Sequence, residues 1–187
     1  MRYYQRLLER EHQKPQFCFV IPESLEQNEA LLKTFLDLEK SGWKGEQSSA
    51  ILDQEKTLKF YSTMTHCATS TGQMMWAQCK LGEETIAMML VMNRGDKIWA
   101  QKTAYNQEYQ RYSPGALLNY QLIRYAIEDP SIQSLDMVTN YKWLERWKPI
   151  KAEYTSYRVF NSGVAGWLVY QMHKLTNKLW KELGASS

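Results

Sequence analysis

The residues of this chain that could do chemistry are concentrated between positions 97 and 128, in KIWAQKTAYNQEYQRYSPGALLNYQLIRYAIE. Ser113 can cap the start of a helix, Pro114 suits a first turn because it has no N–H there, and Gly115 and Ala116 leave backbone N–H groups uncovered. Such a helix end can hold a phosphate or pyrophosphate, although Ser-Pro-Gly could equally do no more than begin a helix. Side chains that could add donors precede it: Gln110, Arg111 and Tyr112.

Other familiar sites are missing from the sequence. It contains no G-x-G-x-x-G, no G-K-[ST] and no G-x-S-x-G, which argues against dinucleotide-binding, P-loop and serine-hydrolase chemistry. The three histidines are far apart and show no metal-ligand spacing, so no metal site is expected. Three cysteines without C-x-x-C indicate reduced thiols and a cytoplasmic protein.

The elements that must position these residues follow from periodicity and turn signals. Strand 17–21 precedes a helix that Ser24 caps and that ends at Ser41, and a second helix, capped by Asp53, ends at Gly72. The remaining predicted elements are the strands Met74–Leu81, Thr85–Met92 and Lys97–Ala104, helix 115–128, strand Ser134–Val138, a short helix, strand 152–160 and helix 163–183. Tight turns at LGEE and NRGD make the three consecutive strands an antiparallel meander, and the strand, helix, strand order that follows indicates a parallel pair.

This order predicts an α+β fold, with a mixed, mostly antiparallel sheet and helices on both faces. The 187 residues, 44% of them hydrophobic, suit one domain with a core over about 17–160 and an added amphipathic helix at 163–183. The longest uncharged stretch of the C-terminal part, between Arg158 and Lys174, is too short to span a membrane.

Net charge is only +3, which is too small a surplus to indicate a nucleic-acid-binding protein. The charge is uneven, since residues 142–187 carry eight Lys or Arg against three Glu. This basic region could attract an anionic ligand, or its lysines and arginines could simply cover an amphipathic surface.

The segment around Ser113 resembles the GNAT superfamily of acyl-CoA-dependent N-acyltransferases. Gln110 to Gly115 fits the superfamily motif Q/R-x-x-G-x-G/A, with Ser113 in place of the first glycine. A narrower resemblance, to the cellulose-biosynthesis-type acetyltransferases and their Fem-type aminoacyltransferase relatives, covers about 24–160. It is carried by SGWKG at 41–45, KTAYNQEYQRYSPG at 102–115, Tyr141, Lys142 and Trp147.

The resemblance implies that acetyl-CoA or another acyl-CoA is the co-substrate, with no metal. Backbone groups of Lys102, Thr103 and Ala104 would pair with the pantetheine arm. The N–H groups around Ser113, Gly115 and Ala116 would hold the pyrophosphate, with the thioester where this strand separates from 134–138.

Acyl transfer to an amine needs a group that takes the amine proton and one that protonates the thiolate. We expect Asp136, Tyr105 and Tyr141 as the catalytic candidates, although each could be structural and positioning alone could suffice. Trp43, Lys44 and Lys142 are the expected acceptor contacts, with core packing by Trp43 and a solvated Lys44 as the alternative.

The sequence therefore predicts acyl transfer from CoA to an amine of a small metabolite or cell-surface precursor. Two alternatives stay open: Fem-type aminoacyl transfer from charged tRNA, and a non-catalytic binding or assembly module in which helix 163–183 meets a partner. A homodimer or a tandem partner domain is compatible with each.

Overall fold

A computed structural model describes residues 1–41, 51–139, 142–151, 155 and 157–184. The chain divides into two compact units, Met1–Asn140 and Tyr141–Ser187, and each is described by itself. In the first unit the helices are α1 (Arg2–Glu11), α2 (Leu25–Ser41), α3 (Glu55–Ser70) and α4 (Pro114–Glu128), with short 3-10 helices at Ile51–Asp53 and Gln107–Tyr112. The strands are β1 (Gln16–Val20), β2 (Met74–Leu81), β3 (Glu84–Arg94), β4 (Lys97–Tyr105) and β5 (Ser134–Asp136).

The five strands form one sheet in the order β1-β2-β3-β4-β5. Neighbours from β1 to β4 are antiparallel, whereas β5 lies parallel to β4 after the crossover through α4. Gly82 and Gly95 adopt positive φ in the two tight turns of the meander, as their sequences predict. The predicted α+β fold, the meander and the parallel pair are therefore confirmed.

Apolar side chains pack on both faces of the sheet, because successive strand residues point to opposite sides. One face carries Met75, Ala77 and Met89 and is covered by α4 and by Leu8 of α1. The other carries Trp76 and is covered by residues of α2 and α3. Each face therefore has its own core, and β4 contributes to both.

A β-bulge at Gln101 makes β4 change faces. Ala100 pairs with Val91 and Lys102 pairs with Leu90, so Gln101 is an extra residue on β4. Ala100 consequently packs in the α4-side core, whereas Ala104 packs in the core under α2 and α3.

The second unit contains a 3-10 helix at Lys142–Trp147 and a long helix, α5 (Val164–Gly184). These confirm the predicted short helix and the predicted final helix. Residues 155 and 157–160 lie in no strand, so the predicted strand 152–160 is wrong for them, and its other positions lie outside the described residues. None of the helices in the described ranges is long and apolar enough to cross a membrane.

The first unit differs from the predictions in one omitted helix and one helix cap. Helix α1 has no counterpart among the predicted elements, although Tyr4, Leu7 and Leu8 have helical spacing and pack on the α4-side core. Asp53 does not cap α3, whose N-cap position is Gln54, and its carboxylate instead lies 3.4 Å from the Lys40 ammonium. The Ser24 cap of α2 is present, since Ser24 Oγ accepts the Gln27 N–H at 3.1 Å.

Candidate functional site

The strands β4 and β5 form a fork. Within the described residues, β5 pairs with β4 only from Lys97 to Trp99, opposite Ser134 to Asp136. β4 then continues to Tyr105 with β3 on one side, and none of the described strands pairs with it on the other. The bulge at Gln101 lies two residues beyond the last pair, and a bulge bends its strand and increases the twist, which accounts for the separation. The open edge leaves backbone groups of β4 available to an extended ligand.

The loop that follows the open edge leads directly into α4. Ser113, between the 3-10 helix and α4, adopts the left-handed conformation with φ 51° and ψ 52°, and its side chain makes no cap hydrogen bond. The expected role as a side-chain cap is therefore wrong. The left-handed backbone explains why the superfamily motif has glycine at this position, since glycine adopts it without steric cost.

The backbone N–H groups of this turn are only partly available. Ser113 N–H donates to Gln110 C=O at 2.9 Å, and Ala116 N–H donates to Ser113 C=O at 3.0 Å. Gly115 N–H has no acceptor among the described residues, and Pro114 has no donor. Of the three N–H groups expected to hold a pyrophosphate, Gly115 thus offers a free one, at the positive end of a 15-residue helix.

Gly115 lies against the open edge of β4. A Cβ built on it would be 3.6 Å from Thr103 Cγ2 and 3.6 Å from Tyr105 Cδ1, which is ordinary van der Waals contact. The structure therefore brings together Thr103, Tyr105 and Gly115, three of the predicted site residues. Ala104 points to the opposite face, where it is buried under α2 and α3.

Two of the predicted phosphate donors are engaged with α1. The Tyr112 side chain is buried, and its hydroxyl donates to Glu11 Oε2 at 2.9 Å and lies 3.0 Å from His12 Nε2. Arg111 forms an ion pair with the same Glu11 carboxylate. In this structure Tyr112 is thus a core residue and Arg111 braces the loop against α1, while Gln110 is exposed.

Lys102 carries a contact that the sequence does not reveal. Its ammonium lies 2.7 Å from Glu39 Oε1 and 5.2 Å from the ring centre of Tyr61, on the face covered by α2 and α3. The Glu39 side chain is only 2% exposed, and its Oε2 accepts the Ile51 N–H at 2.9 Å. A buried carboxylate needs such partners. Glu39 belongs to no sequence motif within α2. Its role as the partner of Lys102 is visible only in the structure, where α2 packs over β4.

Two of the catalytic candidates, Asp136 and Tyr105, are not brought together. Asp136 pairs with Trp99, the last pair before β4 and β5 separate, and its half-buried carboxylate accepts the Val138 N–H at 2.7 Å. Tyr105 lies six residues after Trp99 along β4, and because Gln101 is an extra residue this corresponds to about five strand rises, roughly 17 Å. Asp136 and Tyr105 therefore cannot both contact one reacting centre in this arrangement.

The remaining predicted residues give less information. Trp43, Lys44 and Tyr141 lie outside the described residues. Lys142 begins the 3-10 helix of the second unit and is exposed. In the described ranges, no group of three or more His, Cys, Asp and Glu side chains is arranged to hold a metal ion.

Comparison with known families agrees with this geometry. The family model for the acetyltransferase (GNAT) domain matches residues 1–149, which includes the whole sheet and the fork. No curated protein matches the chain.

Several solved structures share the fold at low sequence identity. A possible acetyltransferase from Clostridium difficile 630 is 11% identical, with a TM-score of 0.56 over 80% of this chain and 99% of that one. An integron cassette protein from the mobile metagenome of V. cholerae is 12% identical, with a TM-score of 0.51 over 87% and 97%. An aminoglycoside acetyltransferase from an uncultured soil metagenomic sample is 11% identical, with a TM-score of 0.50 over 79% and 99%.

Proposed function

Because this chain belongs to the GNAT acetyltransferase family, we propose that it transfers an acyl group, in the first instance acetyl, from CoA to an amine. The acceptor class that we propose is a small metabolite or a cell-surface precursor. The narrower kinship with the cellulose-biosynthesis-type branch, which rests on SGWKG and on 102–115, is part of the same proposal, as is a cytoplasmic setting.

The observation that carries the proposal is the fork between β4 and β5. The pantetheine arm of CoA contains amide groups, and an extended chain with amides can pair with an open strand edge as an added strand would. Lys102, Thr103 and Ala104 supply that edge, beginning three residues beyond Trp99, which is in the last residue pair of β4 and β5. A sheet with these two strands paired along their whole length would offer no such place.

The other end of the ligand fits the start of α4. Gly115 offers its free N–H together with the positive end of the helix dipole, and both favour a pyrophosphate. Gly115 packs on Thr103 and Tyr105, so this anion site is continuous with the open edge of β4. The residues present thus fit CoA, which supplies an activated acyl thioester when it is bound.

In the proposed reaction the amine nitrogen attacks the thioester carbonyl, a C–N bond forms and the C–S bond breaks. The amine proton leaves and the thiolate gains one. Because Asp136 and Tyr105 lie far apart, we propose that at most one of them acts directly, and that holding the two reactants in the fork supplies much of the rate. Tyr141 stays a candidate.

The acceptor would approach from the face covered by α2 and α3. There the buried pair Glu39–Lys102 fixes the middle of β4 beside Tyr61, next to the open edge. Trp43 and Lys44, which follow α2 in the sequence, and Lys142 are proposed acceptor contacts. Lysines would suit an acceptor that carries a carboxylate.

The proposal is tested by the effect of acetyl-CoA on thermal stability in a matched pair of variants. If acetyl-CoA is present at about 100 times its Kd, it should stabilise the wild-type protein by about 2.7 kcal/mol, roughly 5–10 °C in Tm. Gly115→Glu, which places negative charge at the anion site, should abolish that shift. Gly115→Ala should keep most of it, because the added Cβ meets only ordinary contacts.

A wild-type Tm that acetyl-CoA does not change, in a folded protein, would refute the proposal. Binding of charged tRNA that weakens with salt would instead support the Fem-type alternative. Mass spectrometry of an incubation with acetyl-CoA and amine-bearing metabolites would then identify the acceptor by its acetyl mass increment.

A further inference from the structure

We propose that Asn119 binds the pantetheine arm of CoA through its side-chain amide. The inference rests on the proposed function, because it concerns the same ligand. It adds a residue that lies outside the Q/R-x-x-G-x-G/A motif and that sequence inspection does not single out. Three observations carry it: the place of Asn119 on α4, the burial of its amide oxygen, and the position of the fork.

Asn119 lies on the side of α4 that faces β4 and β5. It is four residues after Gly115, one turn further along nearly the same face, and Gly115 packs on Thr103 and Tyr105 of β4. On the opposite flank, Tyr125 stacks on Phe19 of β1 with ring centres 4.5 Å apart. Successive residues of an α-helix are about 100° apart around its axis, so Asn119 and Tyr125 lie on opposite sides of Gly115. Because Tyr125 lies toward β1, Asn119 lies toward β5.

The position along α4 also matches the fork. The chain runs up β4, turns at Ser113 and returns along α4 to reach β5, so α4 runs opposite to β4. Gly115 lies over the end of β4, and one helical turn further brings Asn119 back toward the bulge at Gln101. At that level β4 and β5 separate and the open edge begins.

The side-chain amide oxygen of Asn119 accepts no hydrogen bond from the described residues. The residue is 7% exposed, and its Oδ1 is buried without a hydrogen bond in the described part of the chain. A buried amide oxygen without a donor destabilises a protein, which is why nearly all such groups are paired. Its neighbours on α4, Leu117, Leu118 and Leu122, are fully buried apolar residues, so an apolar side chain would suit this position for packing alone.

The ligand supplies the missing partner. Each amide of a pantetheine arm has an N–H that can donate to a side-chain oxygen and a C=O that can accept from a side-chain NH₂. A pantetheine arm placed along the open edge of β4 forms hydrogen bonds with the backbone of the strand on one side only. Asn119, at the junction of α4 and the fork, would meet the arm from the helix side, and binding would satisfy the orphaned oxygen.

The test compares two ligands and two variants of the full chain by calorimetry. CoA contains the arm, whereas adenosine 3′,5′-bisphosphate contains the nucleotide alone. Asn119→Leu should weaken CoA binding roughly three- to tenfold and leave the affinity for the bisphosphate unchanged. It should also preserve or raise Tm without ligand, because the orphaned acceptor is gone. Asn93→Leu is the matched control. Asn93 Oδ1 is also buried, with no hydrogen bond to any described residue, but Asn93 lies on β3 and pairs with Ile98, near the closed end of the fork. This variant should bind CoA as the wild type does.

A second measurement uses the wild-type protein. The side-chain NH₂ resonances of Asn119 should shift when CoA is added and stay unchanged with the bisphosphate. If the wild type binds CoA but Asn119→Leu binds it equally tightly, or if these resonances do not respond to CoA, the inference is overturned and the proposed function stands. If the wild type does not bind CoA at all, the proposed function is overturned, and this inference with it.

Discussion

Ser113 gives the sharpest test of the backbone geometry at the candidate site. Its φ of 51° and ψ of 52° place an L-residue in the left-handed region, and its hydroxyl makes no cap hydrogen bond. The left-handed conformation costs an L-residue about 1–2 kcal/mol relative to glycine. Replacing serine by glycine also gives the unfolded chain more conformational freedom, which lowers the free energy of unfolding by about 0.4–1 kcal/mol. Ser113→Gly should therefore stabilise the protein by about 0.5–1 kcal/mol.

Ser113→Ala separates this explanation from a capping role. Alanine keeps the Cβ and therefore the backbone cost, and it removes only a hydroxyl that caps nothing, so the stability should stay within about 0.5 kcal/mol of wild type. A capping serine would behave in the opposite way, because its replacement by alanine costs about 1 kcal/mol and its replacement by glycine a few tenths.

The assay is urea denaturation of the three proteins without ligand, with the free energy of unfolding taken from the midpoint and slope. Thermal melts should agree, with Ser113→Gly higher by about 1–4 °C. A loss of about 1 kcal/mol in Ser113→Ala, together with no gain in Ser113→Gly, would refute the left-handed geometry at this turn.

Three further outcomes follow from buried or paired groups. Lys102→Met should lower stability by about 3 kcal/mol in urea denaturation, because it removes the cation that lies 2.7 Å from a buried carboxylate, whereas Lys33→Met, which breaks an exposed pair, should change it by less than about 1 kcal/mol. Burial raises the pKa of the Cys79 thiol to about 12, so mass spectrometry should find alkylation of exposed Cys67 in the folded protein and of Cys79 only after unfolding. A hydrogen bond to a carboxylate, with burial, raises the pKa of Tyr109 from 10 to about 12. The folded state thus favours the protonated phenol, and the stability that this adds below pH 10 should be lost as the pH rises to about 12; Tyr109→Phe should lack this loss when stability is measured against pH.

The sequence was sufficient to predict those elements whose turn and capping residues favour the same conformation as the packed structure. The meander was predictable because Gly82 and Gly95 mark tight turns between runs of strand-forming residues. The start of α4 was predictable because Pro114 suits a first turn. In both places the local preference of the chain and the packed structure favour the same conformation.

Other features depended on contacts between distant segments. α1 packs Leu8 into the α4-side core, and Glu11 at its end contacts a loop 100 residues away, which no local pattern indicates. The bulge at Gln101 shifts the alternation of β4, so a strict period of two would place Lys102 and Ala100 on one face. The contact between Lys102 and Glu39 therefore could not be read from the alternation of residues along β4.

The candidate site was only partly predictable for the same reason. The residue types around Gly115 indicated an anion site, but the sequence does not say which N–H groups are already used within the turn. It also could not show that Tyr112 is buried, since a tyrosine beside a polar loop resembles any amphipathic surface residue. Such outcomes depend on which segments pack together.

The bracing of the 107–112 loop by α1 has a practical consequence for handling the protein. Glu11 and His12 reach the Tyr112 hydroxyl, so the first dozen residues act as a support for a turn that lies far from them in sequence. An affinity tag fused directly ahead of Arg2, or a shortened expression variant beginning at β1, would disturb that support from outside the fork. Ligand affinities measured on such a protein would include the effect of a less ordered 107–112 loop. A cleavable or carboxyl-terminal tag is therefore the safer choice.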